Sequence, residues 1–70
     1  MSEHKLRNRI KAARAELDIT QTELAEKIRV SRKTINTIEN CVFVPSTILA
    51  LLIATALNKS VESLFYLSDE

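Results

Sequence analysis

Residues 20–39, TQTELAEKIRVSRKTINTIE, constrain this chain more than any other stretch, because two helix-start signals fall within them with almost no connecting chain between. Thr20 with Glu23 three residues on is a capping-box pattern: the hydroxyl accepts from the Glu23 amide while the carboxylate reaches back to the Thr20 amide. A short helix should therefore begin at Gln21. Leu24, Ala25 and Ile28 supply its apolar face, and it should stop near Arg29, because Val30 faces inward and Ser31 can cap a new start. A second helix is expected from Arg32 to about Glu39, burying Ile35 and Ile38.

The connection, Arg29, Val30 and Ser31, is too short for side-by-side antiparallel packing and suits the steep crossing of a helix-turn-helix. Ala25 should sit at that crossing, where a larger side chain would push the helices apart. The outward face of the second helix carries Arg32, Lys33, Asn36 and Thr37, none of which a core needs. They offer donors and a methyl group suited to base edges and phosphates in the major groove of double-stranded DNA. Most charged stripes are merely solvated faces. Here the caps, the short turn and the apolar register all argue for DNA.

Seventy residues make one domain, 1–70, at the low end of what folds unaided, so a dimer interface would help it. With three aromatics, no Trp and no Gly, aliphatic side chains and Ala must fill the core, which is an all-α composition. The net charge of +1 hides a division. Residues 1–33 hold nine Lys/Arg against five Asp/Glu, giving +4, whereas 34–70 hold Lys59 against Glu39, Glu62, Asp69 and Glu70, giving −3. The single Cys41 cannot form an intramolecular disulfide, and a reducing cytoplasm is the simpler compartment. The start has no apolar signal region, and the longest apolar run, residues 48–54, is far short of a membrane span.

Along the chain, residues 1–4 are expected to be a loose arm. Leu6, Ile10, Ala13 and Leu17 mark one face of a first helix running from Lys5 to near Asp18, with Lys5, Arg7, Asn8, Arg9 and Lys11 on the rest of its surface. Arg14 flanks the apolar stripe and is expected to form a partly buried pair with Glu39. After a loop closed by Pro45, Ser46 should cap a fourth helix over 47–57. Its apolar positions wrap most of the circumference, so some of them need a cover the monomer lacks. Asn58 suits a left-handed helix end, Ser60 a cap for a fifth helix over 61–65, with Leu64 and Phe65 folding back on the core. Residues 66–70 read as an acidic tail in which Leu67 is available to pack.

Ile19-Thr20-Gln21-Thr22-Glu23-Leu24-Ala25, Val30-Ser31-Arg32-Lys33-Thr34-Ile35-Asn36 and Ile38-Glu39 resemble the phage repressor/Cro-type helix-turn-helix regulators, the XRE family. A second segment, Pro45-Ser46 through Leu49-Ala50-Leu51, Ile53-Ala54, Ala56-Leu57 and Leu64-Phe65, matches that family's closing helices, so the resemblance spans about residues 5–67. It implies a compact five-helix, lambda-repressor-like domain that binds DNA as a homodimer, with the motif at about 21–39 and a dimerisation region at about 42–67. By position it implies base contacts from Arg32, Lys33, Thr34 and Thr37. Backbone contacts would come from Gln21, Arg29, Ser31, Asn36 and Asn40. A repressor occluding a palindromic operator, in the cytoplasm with the nucleoid, is the implied role.

The chain departs from the family pattern at several points. Arg29 stands where Gly is usual, so a left-handed turn there would carry strain of about 1 kcal/mol, or the turn takes another geometry. Cys41 and Val42 replace the usual Gly and basic residue, which removes a phosphate contact. Val44, Ile48 and Leu52 occupy normally polar positions. With Val42, Phe43, Leu64 and Leu67 they form the candidate dimer or partner interface, the alternative being a slightly enlarged core. A protein-binding role, such as the antitoxin of a toxin pair, is the rival reading. An enzyme is the weakest class: one His, one Cys and scattered carboxylates provide no metal-ligand spacing and no phosphate loop, and no cofactor or metal is expected.

Overall fold

Each helix from Gln21 onward has a polar side chain closing its start. In the computed structural model, which describes residues 4–68, Thr20 Oγ1 accepts from Glu23 N at 3.0 Å and Glu23 Oε1 accepts from Thr20 N at 2.9 Å. The capping box thus opens α2 (Gln21–Ile28). Ser31, Ser46 and Ser60 each accept from the amide three residues on at 3.1 Å, opening α3 (Arg32–Glu39), α4 (Thr47–Ala56) and the single turn α5 (Val61–Leu64).

The helix ends are closed without glycine. Asp18, Arg29 and Asn58 take left-handed backbone, with φ of 55°, 60° and 57°. Behind each, the next amide returns to a carbonyl five residues back: Ile19 to Arg14 at 3.1 Å, Val30 to Ala25 at 3.0 Å and Lys59 to Ala54 at 2.9 Å. These bonds satisfy carbonyls that a helix end leaves open, and Ile19 and Val30 pack on the core directly after the turn. Of the two geometries open to Arg29, the chain takes the left-handed one and accepts its cost.

Ile10, Leu24, Ile35, Ile38, Ile53, Leu57 and Leu64 are each less than 2% exposed and form one core with Ala13, Ala25, Ala54, Ile28 and Phe65. All five helices contribute. α2 packs on both α3 and α4.

Five expectations are corrected. The first helix, α1 (Ile10–Leu17), does not begin at Lys5, because β1 (Lys5–Asn8) is a strand paired antiparallel with β2 (Phe65–Ser68), Leu6 opposite Leu67 and Asn8 opposite Phe65. Helix spacing of Leu6 and Ile10 misleads here, since Leu6 reaches the core from the strand. The domain is therefore mostly helical with a two-stranded sheet rather than strictly all-α. Residues 66–68, expected in an acidic tail, belong to β2; Asp69 and Glu70 of that tail, and residues 1–3 of the expected arm, lie outside the described residues. Leu17, expected on the core face of α1, is exposed because the chain turns away at Asp18 directly after it. Leu64, expected both to fold back on the core and to join an interface, is core alone, because the short α5 points it inward beneath α4.

Asn8 joins the sheet to the helices. Its Oδ1 accepts from Ile10 N at 3.2 Å, and its Nδ2 donates to Ile38 O, at the end of α3, at 2.9 Å. Arg9 N donates to Leu64 O at 2.8 Å, and the Arg9 guanidinium lies 4.1 Å over the Tyr66 ring. Asn8→Ala leaves the Ile10 amide without its acceptor and takes one of two donors from the Ile38 carbonyl, which keeps Cys41 N at 3.0 Å, and should cost about 1–3 kcal/mol in urea unfolding. A change below a few tenths would show that the strand docks without it.

Candidate nucleic-acid interface

The charge at the start of α3 runs against the helix's own electrostatics. A helix amino terminus carries partial positive charge and is stabilised by acidic residues. The first turn of α3 contains none, and opens instead with exposed Arg32 and Lys33. Exposed Arg29 stands in the turn before them, and none of the three forms an ion pair among the described residues. This arrangement lowers the stability of the isolated domain and leaves an uncompensated positive surface.

The two cations, successive residues about 100° apart around the helix, line different clefts. Arg32 shares a cleft of about 300 Å³ with Gln21 and Thr22 at the start of α2, and Lys33 shares one of about 340 Å³ with Thr34, Thr37, Val42 and Phe43. Thr22, which the sequence reading placed only within the motif, thus stands beside the candidate contacts; its position one residue after Gln21 at a helix start was the available signal. Thr34 and Thr37 are half-buried. Thr34 Oγ1 lies 3.0 Å from Ser31 Oγ, and Thr37 Oγ1 donates back to Thr34 O at 3.0 Å. With its hydrogen used, Thr37 has a methyl group and oxygen lone pairs left to offer. Ser31 has its cap to hold and Asn40 follows α3 as its C-terminal cap residue; both are exposed, as is Asn36.

Beneath this face lies a polar anchor. Arg14 Nε and Nη2 meet Glu39 Oε2 and Oε1 at 2.7 and 3.2 Å, and Arg14 Nη1 donates to Ile19 O at 3.0 Å. The side chains are 13% and 8% exposed, so the two-point geometry is shielded from water. The pair ties α1 and the α1–α2 turn to the end of α3. Gln21 Nε2 joins the same carboxylate at 3.1 Å and also reaches Asn36 Oδ1 at 3.3 Å, which Asn40 Nδ2 meets at 3.3 Å. Gln21, Asn36 and Asn40 are therefore one cluster; Arg29 joins neither cluster nor clefts.

The remaining expected residues are apolar. Val42, Phe43, Val44, Ile48 and Leu52 are exposed, Val42 at 78% and Ile48 at 72%, and Leu51, which the sequence reading did not single out, is exposed with them. Leu67 is also exposed, on β2. Cys41 is exposed with φ of 61° and lies 3.9 Å from Asn8 Nδ2.

Two capped helices joined through a left-handed turn, with the second one's polar face outward, define a helix-turn-helix domain. A helix-turn-helix family model matches residues 10–64. A Bacillus subtilis protein named uncharacterized HTH-type transcriptional regulator YgzD is 37% identical over 65 residues, covering 93% of this chain and 98% of its own length. An Archaeoglobus fulgidus protein named uncharacterized HTH-type transcriptional regulator is 43% identical over 65 residues, 93% of each chain. The crystal structure of a Bacteroides fragilis protein to which DNA binding is ascribed superposes with a TM-score of 0.79 at 31% identity, covering 87% of this chain and 98% of that one. The chain belongs to the helix-turn-helix family, in its XRE branch.

Glu39→Ala strips Arg14 of its partner below the surface and should cost about 3 kcal/mol, whereas Arg14→Met combined with Glu39→Leu should return to within about 1 kcal/mol of wild type. A double variant as unstable as the sum of the singles would show that the pair contributes packing rather than charge matching.

Proposed function

We propose that this protein is a sequence-specific DNA-binding regulator of transcription that acts as a homodimer, each copy laying α3 in the major groove of one half-site. The observation that carries the reading is the cationic amino end of α3, a feature that costs the free domain stability and is repaid by a polyanion. Arg32 and Lys33 are assigned to base edges, with the methyl groups of Thr34 and Thr37 beside them. Arg29, Ser31, Asn36 and Asn40 are assigned to the backbone, together with the amides at the start of α2. The names carried by the relatives agree with regulation of transcription.

Two recognition helices related by a two-fold axis lie about 34 Å apart and select an imperfect palindrome, and repression follows from occluding a promoter. The exposed Val42, Phe43, Val44, Ile48 and Leu52, with Leu51, are assigned to the contact between copies. The stretch 40–58 contains no charged residue, so two copies of this face meet without like-charge repulsion. The same apolar surface supports a second reading, a dock for a different protein such as a toxin. No described helix is long and apolar enough to cross a membrane, and the assigned place of action is the cytoplasm.

Selection from random duplexes should yield a palindrome, and affinity for it should fall about 10³- to 10⁵-fold as salt rises from about 50 to 200 mM. Arg32→Ala should cost about 1–3 kcal/mol and relax selection at one base pair per half-site. Equal losses on selected and random duplexes would remove Arg32 from base reading, and a flat salt response would remove the electrostatic basis of the proposal.

A further inference from the structure

One side chain on the recognition face has its donor and acceptor ends decided inside the fold. The Glu39 carboxylate, held by Arg14, only accepts, so the Gln21 amide beside it turns its NH₂ group inward at 3.1 Å. The second hydrogen of that group points to Asn36 Oδ1 at 3.3 Å, and Asn40 Nδ2 approaches the same oxygen at 3.3 Å. Both lone pairs of Asn36 Oδ1 are thus occupied. Turning the Asn36 amide over would set its NH₂ group against two others. What Asn36 shows to solvent is its NH₂ group, which has no partner among the described residues.

We propose that Asn36 is a donor-only contact residue: it binds a hydrogen-bond acceptor on DNA and is barred from the two-bond contact with adenine. That contact needs the amide oxygen to accept from N6 while the nitrogen donates to N7. The acceptor is either a phosphate oxygen or the O6, N7 or O4 of guanine or thymine, which share this chemistry. Gln21 is then a positioning residue. Both its amide hydrogens are committed to Glu39 and Asn36, which leaves none for a phosphate. The inference rests on the DNA-binding reading and deepens it by fixing the polarity of one contact and moving Gln21 from contact to support.

The test is random-site selection and affinity measurement with the full chain, as wild type, Asn36→Ala and Gln21→Met, with thermal melts to confirm folding. Asn36→Ala should bind about tenfold more weakly. A loss equal on all sequences identifies a phosphate acceptor, and one confined to duplexes with guanine or thymine at a single position identifies a base; both support the proposal. Gln21→Met should stay within about threefold of wild type in affinity and, in the base case, should admit adenine at that position. Three results overturn it: Asn36→Ala binding like wild type, wild type selecting adenine at the position Asn36→Ala relaxes, or Gln21→Met losing as much as Asn36→Ala on every sequence. A separate arm needs no DNA. By NMR, the Gln21 side-chain amide protons should exchange with water more slowly than those of Asn36, and equal or reversed rates also overturn the proposal. Failure of the wild type to bind any duplex would instead sink the DNA-binding reading, leaving the exchange rates to decide the amide order.

Discussion

The shielded ion pair between Arg14 and Glu39 is the interaction on which the working surface depends. A core of aliphatic side chains and Ala sets how close helices lie but is tolerant of how they rotate, because such side chains repack at modest cost. A two-point guanidinium–carboxylate contact is less tolerant. It fixes the angular position of α3 relative to α1, and Arg14 extends the constraint to the turn before α2 through the Ile19 carbonyl. Its value lies in orientation, since the desolvation of two charges cancels much of their attraction. That an exposed amide cluster grows directly from this carboxylate links the interior to the outer face of α3.

The turn between α2 and α3 shows how local chemistry and long-range packing support each other. Arg29 accepts a left-handed backbone that glycine would adopt freely, and the return bond from Val30 to Ala25, with Val30 seated on the core, offsets that cost. Ser31 then begins α3 at once. The result is a corner made of capping bonds and the packing of Val30, from which a cationic surface projects. Stability and binding chemistry pull in opposite directions at this corner, as they commonly do where a surface is built for a partner absent from the free protein.

Much of this was legible in the chain. The capping box at Thr20, the caps at Ser31, Ser46 and Ser60, the left-handed Asn58 and the pairing of Arg14 with Glu39 each follow from a side chain acting on its near neighbours or on one evident opposite charge. The sheet was not legible. Strands of four residues pair across more than fifty positions, and Leu6 lies at helical distance from Ile10, so local periodicity gave the wrong answer. Asn8, which stops the strand and caps α1, looks in sequence like any exposed polar residue; its role appears only when the end of α3 is brought to it. The amide order of Gln21, Asn36 and Asn40 was hidden for the same reason, because it depends on which atoms meet.

On the proposed reading, the exposed polar face of α3, with the start of α2, meets duplex DNA while the apolar face of α4 does not. Backbone ¹⁵N–¹H shifts followed through a titration with a duplex carrying the selected site test this most directly. Large shifts are expected at Gln21, Thr22 and the outward residues of α3, Arg32, Lys33, Asn36 and Asn40, with Ile48 and Leu52 unchanged in a preformed dimer. Shifts concentrated at Ile48 and Leu52, with Arg32 and Lys33 silent, would contradict it.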